Sequence, residues 1–354
     1  MKRQRNATLD VARGFTVLIM PAVHCVLTYS TAAVQTSWLG SILGFLAEGP
    51  GAELFMMLMG ISIVFGKKKT LQQIFGRTFT LLVTAYLLNF LKIILPLSWN
   101  GIPKNVFTEN GIPYNLQGKL LLLTMDDILQ TAAICYLVCS LLYRTRHYFI
   151  WGICAAFVCN ILSPVLWKIG IPSGILNIPV NLLIGTPPHA FFPVFPWIVY
   201  PLFGLSVGYG LQYFDTKKFY IALSLSGIFL IVTGKLLTSF EPETWETDFY
   251  RLGPGGTLYH TGVALLWLCL CHVSVKFISG TYFLQLLSFL SKHITMVYCL
   301  QWIFIFWLSP IFSYHHLGME GSLFSIVLLT SLTFFTAWAV TKFRQRQPPG
   351  IAIP

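Results

Sequence analysis

Three ionisable residues interrupt the first apolar stretch of the chain, LDVARGFTVLIMPAVHCV at 9–26: Asp10, Arg13 and His24. Ionisable groups inside an apolar helix are costly and ordinarily face a cavity or one another. A helix turns ~100° and rises ~1.5 Å per residue. Asp10 and Arg13, three apart, share a face. The eleven residues from Arg13 to His24 return to within about 20° of that face. The three therefore form one polar stripe, climbing roughly 21 Å from a cytoplasmic mouth to about mid-membrane. Asp10 and Arg13 suit an ion pair with topological value, and the guanidinium fork of Arg13 also suits phosphate. His24, far from any cytoplasmic charge, suits proton handling, because an imidazole titrating near neutrality can deprotonate a hydroxyl or an amine. The stripe would let a phosphorylated donor anchor at one end and thread its reactive end toward the other.

The helices that must hold this stripe are written in the composition. The chain has 354 residues, 55% hydrophobic and 10% charged, against roughly 25% charged in a soluble domain. Its mean hydropathy is +0.71. Apolar runs of about 20 residues recur, each long enough to cross a hydrocarbon core ~30 Å thick. They lack the alternation of barrel strands. The fold class is an all-α polytopic membrane protein, one transmembrane domain over 1–354. About ten helices are expected, at 14–34, 44–66, 78–97, 125–143, 147–166, 192–212, 219–237, 257–276, 293–312 and 322–341. With the N-terminus in the cytoplasm, only Lys92, Lys104, Lys119, Lys168, Lys235 and Arg251 of the 23 cations fall outside. That bias puts both termini in the cytoplasm. The net charge of +11 is then a topology signal rather than a nucleic-acid footprint. MKRQRN resembles the start of a signal peptide, but no cleavage site follows, so the first helix is expected to remain.

The longer loops, near 98–124, 167–191 and 238–256, face outward and suit an extracytoplasmic partner. EPETWETD at 241–248 is an acidic outer stretch with a solvated loop as its simplest reading. FLQLLSFLSKH at 283–293 is too short to span and is expected to lie along the inner interface. GLSVG at 204–208 is a small-xxx-small packing pattern. LGPGGT at 252–257 follows no strand and is not expected to be a phosphate loop. The eight cysteines all sit in apolar runs and are expected to be small buried hydrophobes, without disulfide or metal.

A catalytic base needs an orienting group. Glu53, with Glu48, starts the second helix, and Asp127, with Asp126, opens the fourth. Both pairs also suit helix N-termini electrostatically. Gln130 lies one turn beyond Asp127. Asn89 and Lys92 are three apart on the third helix, where an amide would glue helices or meet substrate. Tyr298 and Gln301 share a face of the ninth span and would close a pocket. His189 sits in an outer loop. No Ser-His-Asp or Cys-His arrangement stands out, which favours direct group transfer over a covalent enzyme intermediate.

LDVARG followed by His24 resembles the opening helix of the transmembrane acyltransferase superfamily, which includes O-acyltransferases acting on bacterial surface glycans. Four other stretches narrow the likeness: GAELFMMLMGISI at 51–63, DILQTAAICYLV at 127–138, FFPVFPWIVYPLFGLSVG at 191–208 and SKHITMVYCLQW at 291–302. Together they resemble the heparan-α-glucosaminide N-acetyltransferase branch. The resemblance implies a cytoplasmic acyl-CoA donor, most simply acetyl-CoA, and an extracytoplasmic saccharide or glycan acceptor. No metal is expected, and the setting is expected to be the bacterial inner membrane. The resemblance carries the catalytic histidine onto His24 and the opening-motif arginine onto Arg13, with Glu53 and Asp127 as the candidate orienting acids. Arg13, Asp10, Lys67, Arg77 and Gln130 would hold the donor, and Asn89, His189, Tyr298 and Gln301 the acceptor. The sequence departs from its relatives at Val23, where many bacterial ones carry an acid. At Gln35, eukaryotic lysosomal members carry their catalytic histidine. Oligomeric state is open, a homodimer included. A proton-coupled transporter or flippase using the same stripe is the competing reading, and a structural membrane protein a third.

Overall fold

The computed structural model describes residues 6–171, 176–240 and 249–346. The stretch 241–248 lies outside them. Helix α1 runs Ala7–Tyr29, seven residues ahead of its expected start. Asn6 caps it by accepting from the amides of Thr8 and Leu9. Asp10 then sits in the first turn, where the helix dipole favours a carboxylate. The shift moves His24 to five residues before the helix end. It lies near the far mouth of the helix, not at its middle.

The expected second span is two helices, α2 Trp38–Ala47 and α3 Ala52–Phe65. They break at Glu48–Gly51, where Gly49 adopts φ +74°. A side chain there would be strained. Helix α4 covers Leu71–Leu97 and opens with a Thr70–Gln73 capping box. Its far end loosens into a π turn at Phe90–Ile94. Helix α5, Ile128–Leu142, starts later than expected because Asp127 is its N-cap. At 15 residues it is about 22 Å long. Then follow α6 Tyr148–Leu166, α7 Val194–Tyr213, α8 Thr216–Phe240 and α9 Pro254–Ile278. Helices α10 Tyr282–Lys292 and α11 Ile294–Trp307 meet at 84°. Helix α12 runs Met319–Arg346.

Among the described residues, eight segments are long and apolar enough to cross a membrane, with α2 and α3 together counting as one of them. The bent α10–α11 pair would make a ninth, and α5 falls short of the length. All ten expected spans correspond to helices; the uneven lengths were not visible in hydropathy alone. The 84° bend accords with an interfacial α10 leading into α11. Within α10, Leu287, Leu290 and Ser291 are buried while Tyr282 and Phe283 are exposed.

Glycines set the helix contacts. A methyl at Gly60 of α3 would overlap the Pro201 carbonyl of α7, and one at Gly204 the Met57 carbonyl. The GLSVG pattern thus docks α7 on α3, as small residues do in membrane bundles. One glycine of LGPGGT does the same: Gly255 of α9, with Gly262 two turns on, presses on Gly234 and Gly227 of α8. Gly14 brings α1 onto the backbone of Leu287. Gly60→Leu is expected to destabilise the bundle by ~1–3 kcal/mol or more. Gly44→Ala, whose added methyl meets open space, should be silent. Thermal unfolding of the two purified variants in detergent checks the contrast, and equal midpoints would discount the α3–α7 contact. Of the cysteines, Cys25, Cys135, Cys139 and Cys271 are buried, whereas Cys154 is exposed on α6, a helix with few buried positions.

Candidate functional site: two cavities on one face of α1

The polar face of α1 borders two cavities. The larger, about 560 Å³, is lined by Thr16 and His24 of α1, Lys92 of α4, Asp127 at the start of α5, and Tyr298 and Trp302 of α11. Gln35, Asn110 and His315 also line it. The smaller, about 340 Å³, is lined by Arg13, Ser62, Lys67, Lys69, Arg77 and Tyr143. It holds four cations, and among the described residues no carboxylate lines it.

In the larger cavity His24 is held on two sides. Its ring stacks on Trp302 with centroids 4.2 Å apart. Its Nδ1 lies 3.2 Å from Nε2 of Gln301, whose own oxygen is buried with no hydrogen-bond partner. Lys92 forms a buried ion pair with Asp127, Nζ to Oδ2 3.3 Å, and lies 4.9 Å from the centre of the Trp302 ring. Tyr298 donates to the same Asp127 oxygen at 2.9 Å. The other Asp127 oxygen accepts from the Ile128 amide at 2.7 Å. Asp127 is thus both helix cap and the hub that fixes Lys92 and Tyr298.

Helix α4 supplies the supporting wall. Tyr86, Asn89 and Lys92 lie three apart and contact the 123–127 segment in turn. Tyr86 donates to Asp126 at 3.0 Å, and Asn89 donates to the Met125 carbonyl at 2.7 Å and the Leu123 carbonyl at 3.1 Å. Asp126 also pairs through its backbone with His189 and Phe191. Irregular backbone inside a membrane bundle is tolerated where protein or a cavity satisfies it. Lys92 stands in the π turn, a feature frequent at functional sites.

Several expected site residues are engaged elsewhere. The Glu53 carboxylate, 0% exposed, accepts from the Gly49 amide at 2.7 Å and lies 2.8 Å from Nδ1 of His260. It orients the α2–α3 break and not His24. Gln130 folds back on the Asp127 amide and the Met125 carbonyl, so it braces the cap instead of reaching the donor cavity. Asn89 spends its amide on the backbone and lines neither cavity. His189 contributes its carbonyl to the Asp126 amide and lines neither cavity. Asp10 accepts from Ser291 at 2.9 Å and lies 3.9 Å from Arg13, behind the cationic cavity. Arg13 donates to Ser62 at 2.6 Å.

Sequence reading undervalued Lys92, Trp302 and His260. Lys92 was noted on one face with Asn89 and as an outer cation but given no role at the site, yet it is 1% exposed. Trp302, one residue past Gln301, had no signal beyond that position. His260 pairs with a residue more than 200 positions away, which no spacing rule reaches.

Residues 5–238 match the family profile of the heparan-alpha-glucosaminide N-acetyltransferase catalytic domain. The chain belongs to this family. No individual curated protein matches it. The match includes Arg13, His24, Lys92 and Asp127 and stops before α9. Tyr298, Gln301 and Trp302, which complete the cavity of this heparan-alpha-glucosaminide N-acetyltransferase family member, come from beyond the matched residues. The family makes the chain a multi-pass membrane protein of acetyltransferase type.

Proposed function

We propose that the protein transfers an acetyl group from acetyl-CoA, bound in the cationic cavity on the cytoplasmic side, to an extracytoplasmic amino sugar or glycan in the larger cavity, with His24 as general base. The observation that carries this reading is the stacking of the two cavities along α1. Arg13 and His24 are eleven residues apart, a rise of about 16 Å. The arm joining the phosphates of CoA to its sulfur is an amide chain of about four peptide lengths, spanning roughly 14 Å when extended. Phosphates held by Arg13, Lys67, Lys69 and Arg77 would therefore present the thioester near the level of His24. The fork geometry of arginine and the point charge of lysine both suit phosphate.

In the transfer step the acceptor N–H or O–H gives its proton to Nε2 of His24. The acceptor heteroatom forms a bond to the thioester carbon, and the C–S bond breaks. The leaving thiolate takes the proton back from the imidazolium. Gln301 supports this role. Rotating its amide sets the unpartnered oxygen on Nδ1, which then carries a proton and leaves the Nε2 lone pair for the acceptor. Lys92, with one contact spent on Asp127, has further N–H donors for the developing oxyanion. Among the described residues, no cysteine or serine lines the His24 cavity, which supports direct transfer. Glu48, an exposed carboxylate lining the cavity, suits a cationic amine. Family membership favours this chemistry over transport.

The test is kinetic, with labelled acetyl-CoA and glucosamine as probe acceptor. Lys67→Ala/Arg77→Ala is expected to raise KM for acetyl-CoA roughly 10–100-fold, as loss of charged hydrogen bonds does, with kcat little changed. An unaltered KM would remove the donor from this cavity.

A further inference from the structure

Phe55 belongs to both cavities. The same boundary appears on the two helices facing it. On α1, Thr16 lines the larger cavity and Arg13, less than a turn away, the smaller. On α5, the consecutive residues Ile128 and Leu129 divide the same way. The cavities therefore abut in one plane, and the Phe55 side chain is the part of α3 that stands in it.

We infer that Phe55 is the partition through which the acyl end of the donor passes, and that its ring sets the cross-section of the acyl group admitted to His24. The inference rests on the acetyl-transfer reading above. The level of the ring follows from helix rise. Ser62 of α3 contacts Arg13, and Phe55 lies seven residues back along α3, about 10 Å toward His24. His24 is about 16 Å from Arg13. The thioester end of the donor arm must therefore pass the ring before the base can be reached. The acyl group leads. A slim acetyl group slides past an aromatic face, whereas a branched or aromatic acyl group meets it broadside. Beyond the ring the cavity is roomy, so selection falls on width at Phe55 and not on length beyond it. Pockets of this kind discriminate sterically by filling space.

The experiment compares acetyl-CoA with benzoyl-CoA as donors for wild type, Phe55→Ala, Phe55→Leu and Phe55→Trp. 3′-Phosphoadenosine 5′-diphosphate, which lacks the arm, reports the cationic cavity separately by calorimetry. The Ala variant is expected to raise kcat/KM for benzoyl-CoA relative to acetyl-CoA at least tenfold, with Leu between Ala and wild type. The Trp variant should cut kcat for acetyl-CoA at least tenfold while its Kd for the armless nucleotide stays within twofold of wild type. An unchanged acyl preference in both smaller variants, or undiminished acetyl transfer in the Trp variant, overturns the inference and leaves the acetyl-transfer reading standing. A wild type that binds no nucleotide and consumes no acetyl-CoA overturns both.

Discussion

His24→Ala is expected to reduce acetyl transfer by ~10²–10⁴-fold, the range that a positioned general base contributes. The loss should fall on the chemical step. His24 lies about 16 Å along α1 from Arg13, so the variant should still bind 3′-phosphoadenosine 5′-diphosphate as wild type does. Single-turnover measurements with preloaded acetyl-CoA separate the two. His24→Gln is a useful companion. It keeps a polar planar group against Trp302 and Gln301 but has no titratable lone pair. If the Gln variant turned over like wild type, His24 would be a packing residue and the base would have to be sought elsewhere around the cavity. Trp302, stacked on the ring at 4.2 Å, holds the imidazole in one plane. An alanine at 24 leaves that indole facing a void, which explains any modest loss of stability without touching the conclusion about chemistry.

The second large effect belongs to Lys92 and Asp127. Removing one member of a buried pair strands the other, at a cost of ~3–5 kcal/mol. Lys92→Met leaves the Asp127 carboxylate with Tyr298 and the Ile128 amide but no cation. Asp127→Leu strands the ammonium and also deletes the cap of α5, worth a further ~1 kcal/mol. Both single variants should unfold at clearly lower temperature in detergent. The double variant Lys92→Met/Asp127→Leu should recover much of the loss, because a pair replaced by apolar groups no longer pays for desolvation. It should remain inactive, since Lys92 and Tyr298 both face the cavity and the second loses its anchor. A double-mutant cycle measures the coupling. Additive losses would mean that the two groups do not interact, contrary to their 3.3 Å separation.

The stripe on α1 was legible because helical geometry relates near neighbours in sequence. Eleven residues fix Arg13 and His24 on one face wherever the helix begins. Where it begins was less legible: Asn6 acts as cap through its side chain, and hydropathy does not register that. That the chain is a multi-pass bundle of apolar helices followed from composition. The break at Glu48–Gly51 was missed because both its helices are apolar, although Gly49, Pro50 and Gly51 are residues that favour a turn. The roles of the acids were the weakest reading. Glu53 and Asp127 look alike in sequence, each near a helix start. One meets His260 and the other meets Lys92 and Tyr298, and both outcomes depend on partners brought from distant helices. The π turn that carries Lys92 has no sequence signature in a run such as FLKII.

A membrane that stores energy as an ion gradient tolerates no water-filled path from face to face. On the proposed reading, the protein would have to hand a group across a membrane from one side to the other. Two cavities meeting at the Phe55 ring would answer both demands. A slender chain can press past an aromatic face and be gripped by it, so the doorway is plugged whenever it is used. A hydrated cation would have to shed its water against a ring that offers nothing comparable in return. On that reading the arrangement would work as an airlock: chemical groups cross, and hydrated ions do not.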